Sequence, residues 1–412
     1  MVRRVLFANP VHRRMAPLFA AAFFGGLMLW IPVEKLFLAG IGFTPATIGL
    51  MAAIYAGVAP VLDFPTGILA DRWSRRGVLV LANIAGFLAV LVGGLSTNVG
   101  TYLAAAVLLG AYLAMESGTL DAIVYDTVLE ETGDSETFES IIGRVRMVES
   151  ASLVVGALGG GILASVTSPR ATYFATLPFL LVSTAFLFAF REPRLHERGE
   201  SRSMRRQISL TIGVVRRERS LLPVAALLVL TAVLTQAVFE FGPLWLVDGG
   251  ARAATFGPAW ACLVGALGFG GALAGRVRVD SLRAAVVFAS VLLAAAAVLV
   301  LSSAAVAVTA AQTVLVTGSV VAGIALTKRL HDGVGSDVRT GVSSAVGAAT
   351  WATFVPLALV FGAVIDGSGV HAAGWLIAAI VGVIAVLLVG VVRPTATTPC
   401  SEPATLRPAL GA

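Results

Sequence analysis

The chain is short of charge. Only 13% of its 412 residues are Asp, Glu, Lys or Arg, about half the share that a soluble domain carries. Lysine is nearly absent, since 27 of the 29 basic residues are arginine. Cysteine occurs twice, Cys262 in an apolar run and Cys400 in a polar tail, which excludes a disulfide scaffold and dithiol redox chemistry. The four histidines (His12, His196, His331, His371) stand apart at polar boundaries, without the spacing of a metal site. No glycine-rich phosphate loop ending in Lys-Ser/Thr occurs, so ATP hydrolysis and a nucleotide cofactor are not expected. A nucleophile with its base and orienting group is also missing, which argues against an enzyme.

Apolar residues are what the chain has in excess. They make up 58% of it, with mean hydropathy +0.92, enough for about twelve spans of about 20 residues. Runs separated by polar or Gly/Pro breaks fall at 16–39, 46–70, 78–96, 100–126, 143–166, 171–190, 221–247, 254–275, 284–302, 304–327, 341–366 and 371–392. The expected fold is an all-α polytopic membrane protein with twelve transmembrane helices. The first run is too long for a signal peptide and has no small-residue cleavage site.

An even number of spans puts both termini on one side, and arginine tells which. That side receives Arg3, Arg4, Arg13, Arg14, Arg72, Arg75, Arg76, nine arginines from Arg191 to Arg219, and Arg276, Arg278, Arg283, Lys328 and Arg329. The other side holds Arg170, Arg252 and, at its edge, Lys35. By the positive-inside rule both termini are cytoplasmic, and the net charge of +6 reports topology rather than nucleic-acid binding. The expected divisions are an N-terminal tail (1–15), a six-helix bundle (16–190), a cytoplasmic linker (191–220), a second six-helix bundle (221–392) and a C-terminal tail (393–412). Gly67-Ile-Leu-Ala-Asp71-Arg72 after the second span is echoed by Gly271-Ala-Leu-Ala-Gly275-Arg276 after the eighth, as duplication of a six-span unit would produce.

The loop after the second span reads Asp63-Phe-Pro-Thr-Gly67-Ile-Leu-Ala-Asp71-Arg72-Trp-Ser74-Arg75-Arg76. With the six-plus-six plan, this resembles the major facilitator superfamily, whose loop between helices two and three reads Gly-x-Leu-Ala-Asp-Arg-x-Gly-Arg-Arg. Ser74 stands where that pattern has its second glycine. Gly67 would let helices approach closely. Asp71, Arg75 and Asp126 would form a network closing the cytoplasmic side, joined there by Asp63, Arg72 and Arg76; the alternative is that these charges only enforce topology.

In the family resembled, helices one, four, seven and ten line a central cavity. That implication places Glu34, Glu116, Asp121, Gln236, Glu240 and Gln312 in a proton- and substrate-binding site. Each has a structural alternative. Glu34 can be an interfacial pair with Lys35, and Asp121 can be satisfied by Ser117 and Tyr125 one turn away. Gln236 and Glu240 share a face at i,i+4, and Glu116 lies deepest in its span, where a carboxylate is costly unless it has a function. None of the four helices contains an arginine, so the cavity is expected to suit cations, amphipathic molecules or protons. Trp30, Phe239, Phe241, Trp245 and Trp351 form either an apolar binding wall or lipid-facing belts.

Gly156-Ala-Leu-Gly159-Gly160 in the fifth span is similar to the Gly-Pro-x-x-Gly-Gly motif of drug/proton antiporters, with alanine for proline and shorter spacing, and would make an outer gate. The arginine that such antiporters carry four residues before the glycine of helix four is absent here, where Ala114 precedes Gly118. The resemblance implies a monomeric, proton-coupled exporter of amphipathic small molecules such as antibiotics, working by rocker-switch alternating access. Its partners would be substrate, protons and the lipid bilayer, with no nucleic acid. The alternative is a proton-coupled importer of a sugar or peptide-like solute. Arginine- and alanine-rich usage suggests a high-GC bacterium, hence the inner (plasma) membrane.

Overall fold

The computed structural model describes residues 10–134, 137–193, 221–277, 281–334 and 339–392. Most of the expected linker, from residue 194 to 220, lies outside them, as do residues 1–9 and the tail from 393. The described residues form fifteen α-helices. Span 1 is α1 (Pro10–Gly25) and α2 (Glu34–Gly40); spans 2 and 3 are α3 (Pro45–Arg72) and α4 (Arg75–Leu95). Span 4 is α5 (Val99–Glu116) and α6 (Thr119–Thr132); spans 5 and 6 are α7 (Phe138–Val166) and α8 (Pro169–Ala189). Span 7 is α9 (Leu222–Phe241) and α10 (Pro243–Asp248), and spans 8 to 12 are α11 (Ala253–Ala274), α12 (Leu282–Leu301), α13 (Ala305–Asp332), α14 (Arg339–Ser368) and α15 (Val370–Val392). Among the described residues, eleven segments are long and apolar enough to cross a membrane. The first expected span is not among them, because it is divided into two short helices instead of forming the continuous helix expected.

The turns that the sequence makes tight are closed by capping side chains. Thr44 accepts from Thr47 N–H in a reciprocal capping box before Pro45, and Asn98 and Ser168 accept from Thr101 and Ala171. Each such cap satisfies a helix-end donor that lipid cannot, worth about 1 kcal/mol. Ser74 explains itself the same way: its Oγ accepts from Gly77 N–H at 2.8 Å and donates to Glu192 Oε2 at 2.6 Å. A glycine there would lose both bonds.

Three spans are interrupted. In span 1 the chain leaves the helix over residues 26–30 before a 3-10 turn at Ile31–Val33, and the freed Leu29 N–H donates to Thr176 Oγ1 at 3.2 Å. Span 4 breaks at Gly118, whose φ of +69° is a conformation that favours glycine. Span 7 breaks at Gly242-Pro243, where the Gly242 carbonyl accepts from Gln312 Nε2 at 3.0 Å. Irregular backbone at membrane depth survives only with such substitutes for lost helix bonds.

The two halves meet near the face opposite the termini. Gly49 of span 2 crosses Gly362 of span 11 so closely that an added Cβ at Gly49 would lie 2.5 Å from the Ala358 carbonyl oxygen. Gly161 of span 5 and Gly257 of span 8 cross likewise, a Cβ at Gly257 meeting the Ala157 oxygen at 2.5 Å. Toward the terminal face the halves open out: a Cβ at Gly57, Gly67 or Gly347 would touch nothing within 4 Å. Gly67 is therefore not at a close helix contact in this conformation, contrary to expectation.

Candidate functional site

Of the six residues expected at one midplane site, four fall into two clusters, Glu34 with Glu240 and Glu116 with Asp121. Tyr102 and Glu116 mark them on the same helix, 14 residues or about 21 Å apart along its axis.

The cluster farther from the terminal face is centred on Lys35. Its Nζ donates to Glu34 Oε2 at 2.6 Å and to Glu240 Oε1 at 2.5 Å. Glu34 Oε1 accepts from Tyr102, whose hydroxyl lies 2.7 Å from that of Tyr173. Glu240 Oε2 accepts from Tyr55 at 2.6 Å. Glu34, Lys35 and Glu240 are all buried, so the interfacial Glu34–Lys35 pair expected from sequence is replaced by a desolvated triad. Glu240 lies in the C-terminal half, and both partners of its carboxylate lie in the N-terminal half. The cost of burying three charges is offset because each carboxylate oxygen has a donor.

The cluster nearer the terminal face surrounds Arg146 of span 5. Its guanidinium pairs with Asp121 at 2.7 Å and Glu149 at 3.0 Å. Glu116, the last residue of α5, lies beside them with the Tyr112 hydroxyl facing it, and it forms no ion pair among the described residues. The expectation of carboxylates without a fixed cation is thus corrected: Lys35 and Arg146 reach into the clusters, the latter from a helix outside the four considered. Five carboxylates (Glu34, Glu240, Glu116, Asp121, Glu149) against two cations still leave a formal charge of −3 when all are ionised.

A cavity of about 330 Å³ adjoins this cluster inside the N-terminal half, lined from spans 1, 3, 4, 5 and 6 and by no residue of the other half. Its wall is braced by Asn83, which donates to Ser183 Oγ at 2.9 Å, and by Ser183, which donates to the Ala21 carbonyl at 2.8 Å.

The remaining expected residues separate by role. Gln312 is buried and holds the break of span 7, and Gln236 is half-buried. Phe241 and Trp245 are core residues of the C-terminal half, Trp245 donating to the Leu299 carbonyl at 2.9 Å. Gly156 and Gly160 lie against the interrupted backbone of span 1, where a Cβ at Gly160 would meet the Leu29 oxygen at 2.0 Å, and Gly159 is more open. The glycine that meets the other half is the neighbouring Gly161.

At the terminal face Arg75 pairs with Asp126 and, at 3.5 Å, with Asp71, and it also donates to the Ala122 carbonyl at 3.0 Å. Arg76 donates to the Phe190 carbonyl at 3.1 Å, while Asp63 and Arg72 are exposed. All members of this network belong to the N-terminal half and are joined while the halves stand apart at that face. It is a brace within one half in this conformation rather than a bridge between two.

The sequence profile of the Major Facilitator Superfamily matches residues 15–350. A stretch of 171 residues is 26% identical to Multidrug resistance protein 2 of Bacillus subtilis (strain 168), covering 41% of each chain. Among solved structures, the nucleoside transporter NupG superposes with a TM-score of 0.74 at 11% identity, over 93% of this chain and 99% of its own. A D-xylose-proton symporter gives 0.70 at 11% identity, over 91% and 97%. A bacterial homologue of the lysosomal transporter Spinster, captured facing inward and unoccupied, gives 0.66 at 14% identity, over 91% and 92%. These structural likenesses establish the fold.

Proposed function

The chain belongs to the major facilitator superfamily, and on that premise we propose that it is a proton-coupled exporter of amphipathic, cationic small molecules in the bacterial plasma membrane, with both termini cytoplasmic. The observation that carries this reading is the excess of membrane-embedded carboxylates over cations, with Glu116 in no ion pair among the described residues. A carboxylate in that setting holds a proton or a cationic substrate, and not both at once. Competition for one group is the simplest basis for exchange: substrate entering from the cytoplasmic opening displaces a proton, and a proton arriving from outside displaces the substrate.

The conformation fits the loading step. The halves are joined on the outer side by two glycine crossings and by the bonds of Glu240 to Lys35 and Tyr55. Rocking about this side would close the cytoplasmic opening, and releasing Glu240 would free the outer one. The matched stretch of a multidrug resistance protein supports an efflux role. The second reading, proton-coupled uptake of a polar solute, draws on the hydroxyls of Tyr55, Tyr102 and Tyr173 and on the xylose-proton symporter among the fold neighbours.

Accumulation of a fluorescent lipophilic cation in expressing cells decides between them. Export predicts lowered accumulation that a protonophore restores, and a Glu116→Gln chain that no longer lowers it. Unchanged or increased accumulation with correctly inserted protein overturns the export reading.

A further inference from the structure

The cavity beside Glu116 lies off the boundary between the halves. Every residue lining it falls between Leu18 and Leu187, within the N-terminal six spans. Its volume of about 330 Å³ is in the range of small-molecule pockets, which run from about 300 to 1,000 Å³. Much of its wall is apolar, with Leu18, Ala22, Leu79 and Leu187 from spans 1, 3 and 6. At one end stand Glu116, Arg146 and Glu149.

The charge of that end is uneven. Arg146 is committed to Asp121 and Glu149, with its side chain about half exposed at the edge. Glu116 faces the Tyr112 hydroxyl and lies within electrostatic reach of Arg146 without forming an ion pair with it. The break at Gly118 sets Glu116 at the end of α5, and the carboxylate lines the pocket. Three carboxylates share one guanidinium, so the end of the pocket carries a formal charge of −2.

We infer that the N-terminal half alone contains a binding pocket for a hydrophobic monocation, with the cationic centre against Glu116 and the apolar body against Leu18, Ala22, Leu79 and Leu187. The C-terminal half supplies no lining residue and contributes little to affinity. This rests on the export reading for its physiological meaning, while the binding itself requires no gradient. Burial of the apolar body supplies affinity for any molecule of the right size, at about 25 cal/mol per Å². The sign of charge supplies the selection.

Tetraphenylphosphonium and tetraphenylborate have the same shape and opposite charge, which separates the two contributions. Equilibrium binding of each to the purified full chain in detergent is expected to favour the phosphonium by at least tenfold. Glu116→Gln, which preserves volume, should cut phosphonium affinity about tenfold and leave the borate unchanged or tighter. Ala22→Leu, which fills the pocket, should weaken phosphonium binding by a similar factor; its elution and melting profile should match the parent. Should Ala22→Leu fail to fold, Glu149→Gln provides the second test, with an expected several-fold loss.

Equal affinity for the two ions, or a folded Ala22→Leu chain binding like the parent, overturns the pocket. Phosphonium binding with these dependences, found in a chain that shows no export, would keep the pocket and refute the export reading. Export from cells with no effect of Glu116→Gln or Ala22→Leu on binding would do the reverse.

Discussion

Lys35 and Glu240 are separated by 205 residues in the chain and by 2.5 Å in the fold. The bond crosses from the first half to the second, and Glu34 on the far side of the ammonium keeps Lys35 anchored in its own half. Glu240 is thus the releasable member. Losing its charge breaks the tie without leaving Lys35 alone, whereas losing Lys35 leaves two buried carboxylates facing each other.

That asymmetry predicts unequal effects. Lys35→Met should lower stability by about 3–5 kcal/mol, the usual cost of breaking a buried pair from one side, and thermal unfolding of the purified protein would show it. Glu240→Gln should be milder in stability. It should instead raise maleimide labelling from the outer side at a cysteine placed at Ile365, a buried position near the outer end of span 11, in a chain with Cys262 replaced. Labelling equal to the parent would mean that the tie does not hold the closure.

At the crossing of spans 5 and 8, Gly257→Leu should push the halves apart on the outer side. Even a Cβ there meets the Ala157 carbonyl oxygen at 2.5 Å, and overpacking of this kind costs about 1–3 kcal/mol. The same Ile365 cysteine reports it: faster outer labelling is expected, with slowed transport. Gly159→Leu, where the nearest atom is 3.9 Å away, should change neither.

Gly118 carries a positive φ that a side chain resists. Gly118→Ala should cost about 1–3 kcal/mol and draw Glu116 away from its cavity as the break straightens. Gly118→Asn, which tolerates the left-handed region better, should retain more transport than the alanine variant in a direct comparison at equal expression.

The brace at the terminal face predicts a graded cycle. Arg75 and Asp126 have side chains only 19% and 13% exposed, while Asp71 is 71% exposed. A double-mutant cycle of Arg75→Gln with Asp126→Asn should give a coupling of about 1–3 kcal/mol, and the cycle with Asp71→Asn less than about 1 kcal/mol. Equal couplings would contradict the exposure difference.

Hydropathy and arginine placement made the spans, the six-plus-six division and the family loop legible, because lipid forces long apolar runs and a charge bias at their ends. The breaks were not legible, since Gly26, Gly118 and Gly242 sit within runs whose average hydropathy they hardly alter. Arg146 was missed for a different reason. It begins its span as an ordinary terminal-side arginine and acquires its partners only when span 5 packs beside span 4. Lys35 read as an interfacial residue because its neighbour Glu34 offered a local partner, and nothing near it in sequence announced Glu240. The signal available for Arg146 was its i,i+3 spacing to Glu149, which places two opposite charges on one face of an apolar helix.

The two glycine crossings have the same relation to the fold: spans 2 and 11 in one, spans 8 and 5 in the other, each six spans from its counterpart. A pair of identical six-helix proteins associating about a twofold axis would make both crossings from a single pair of glycines. Any mutation in such an ancestor would have altered both sides of the pivot together. In the fused chain each side is free to change alone, so a substitution at Gly49 without one at Gly257 would tilt the rocking axis, a form of tuning closed to a symmetric dimer.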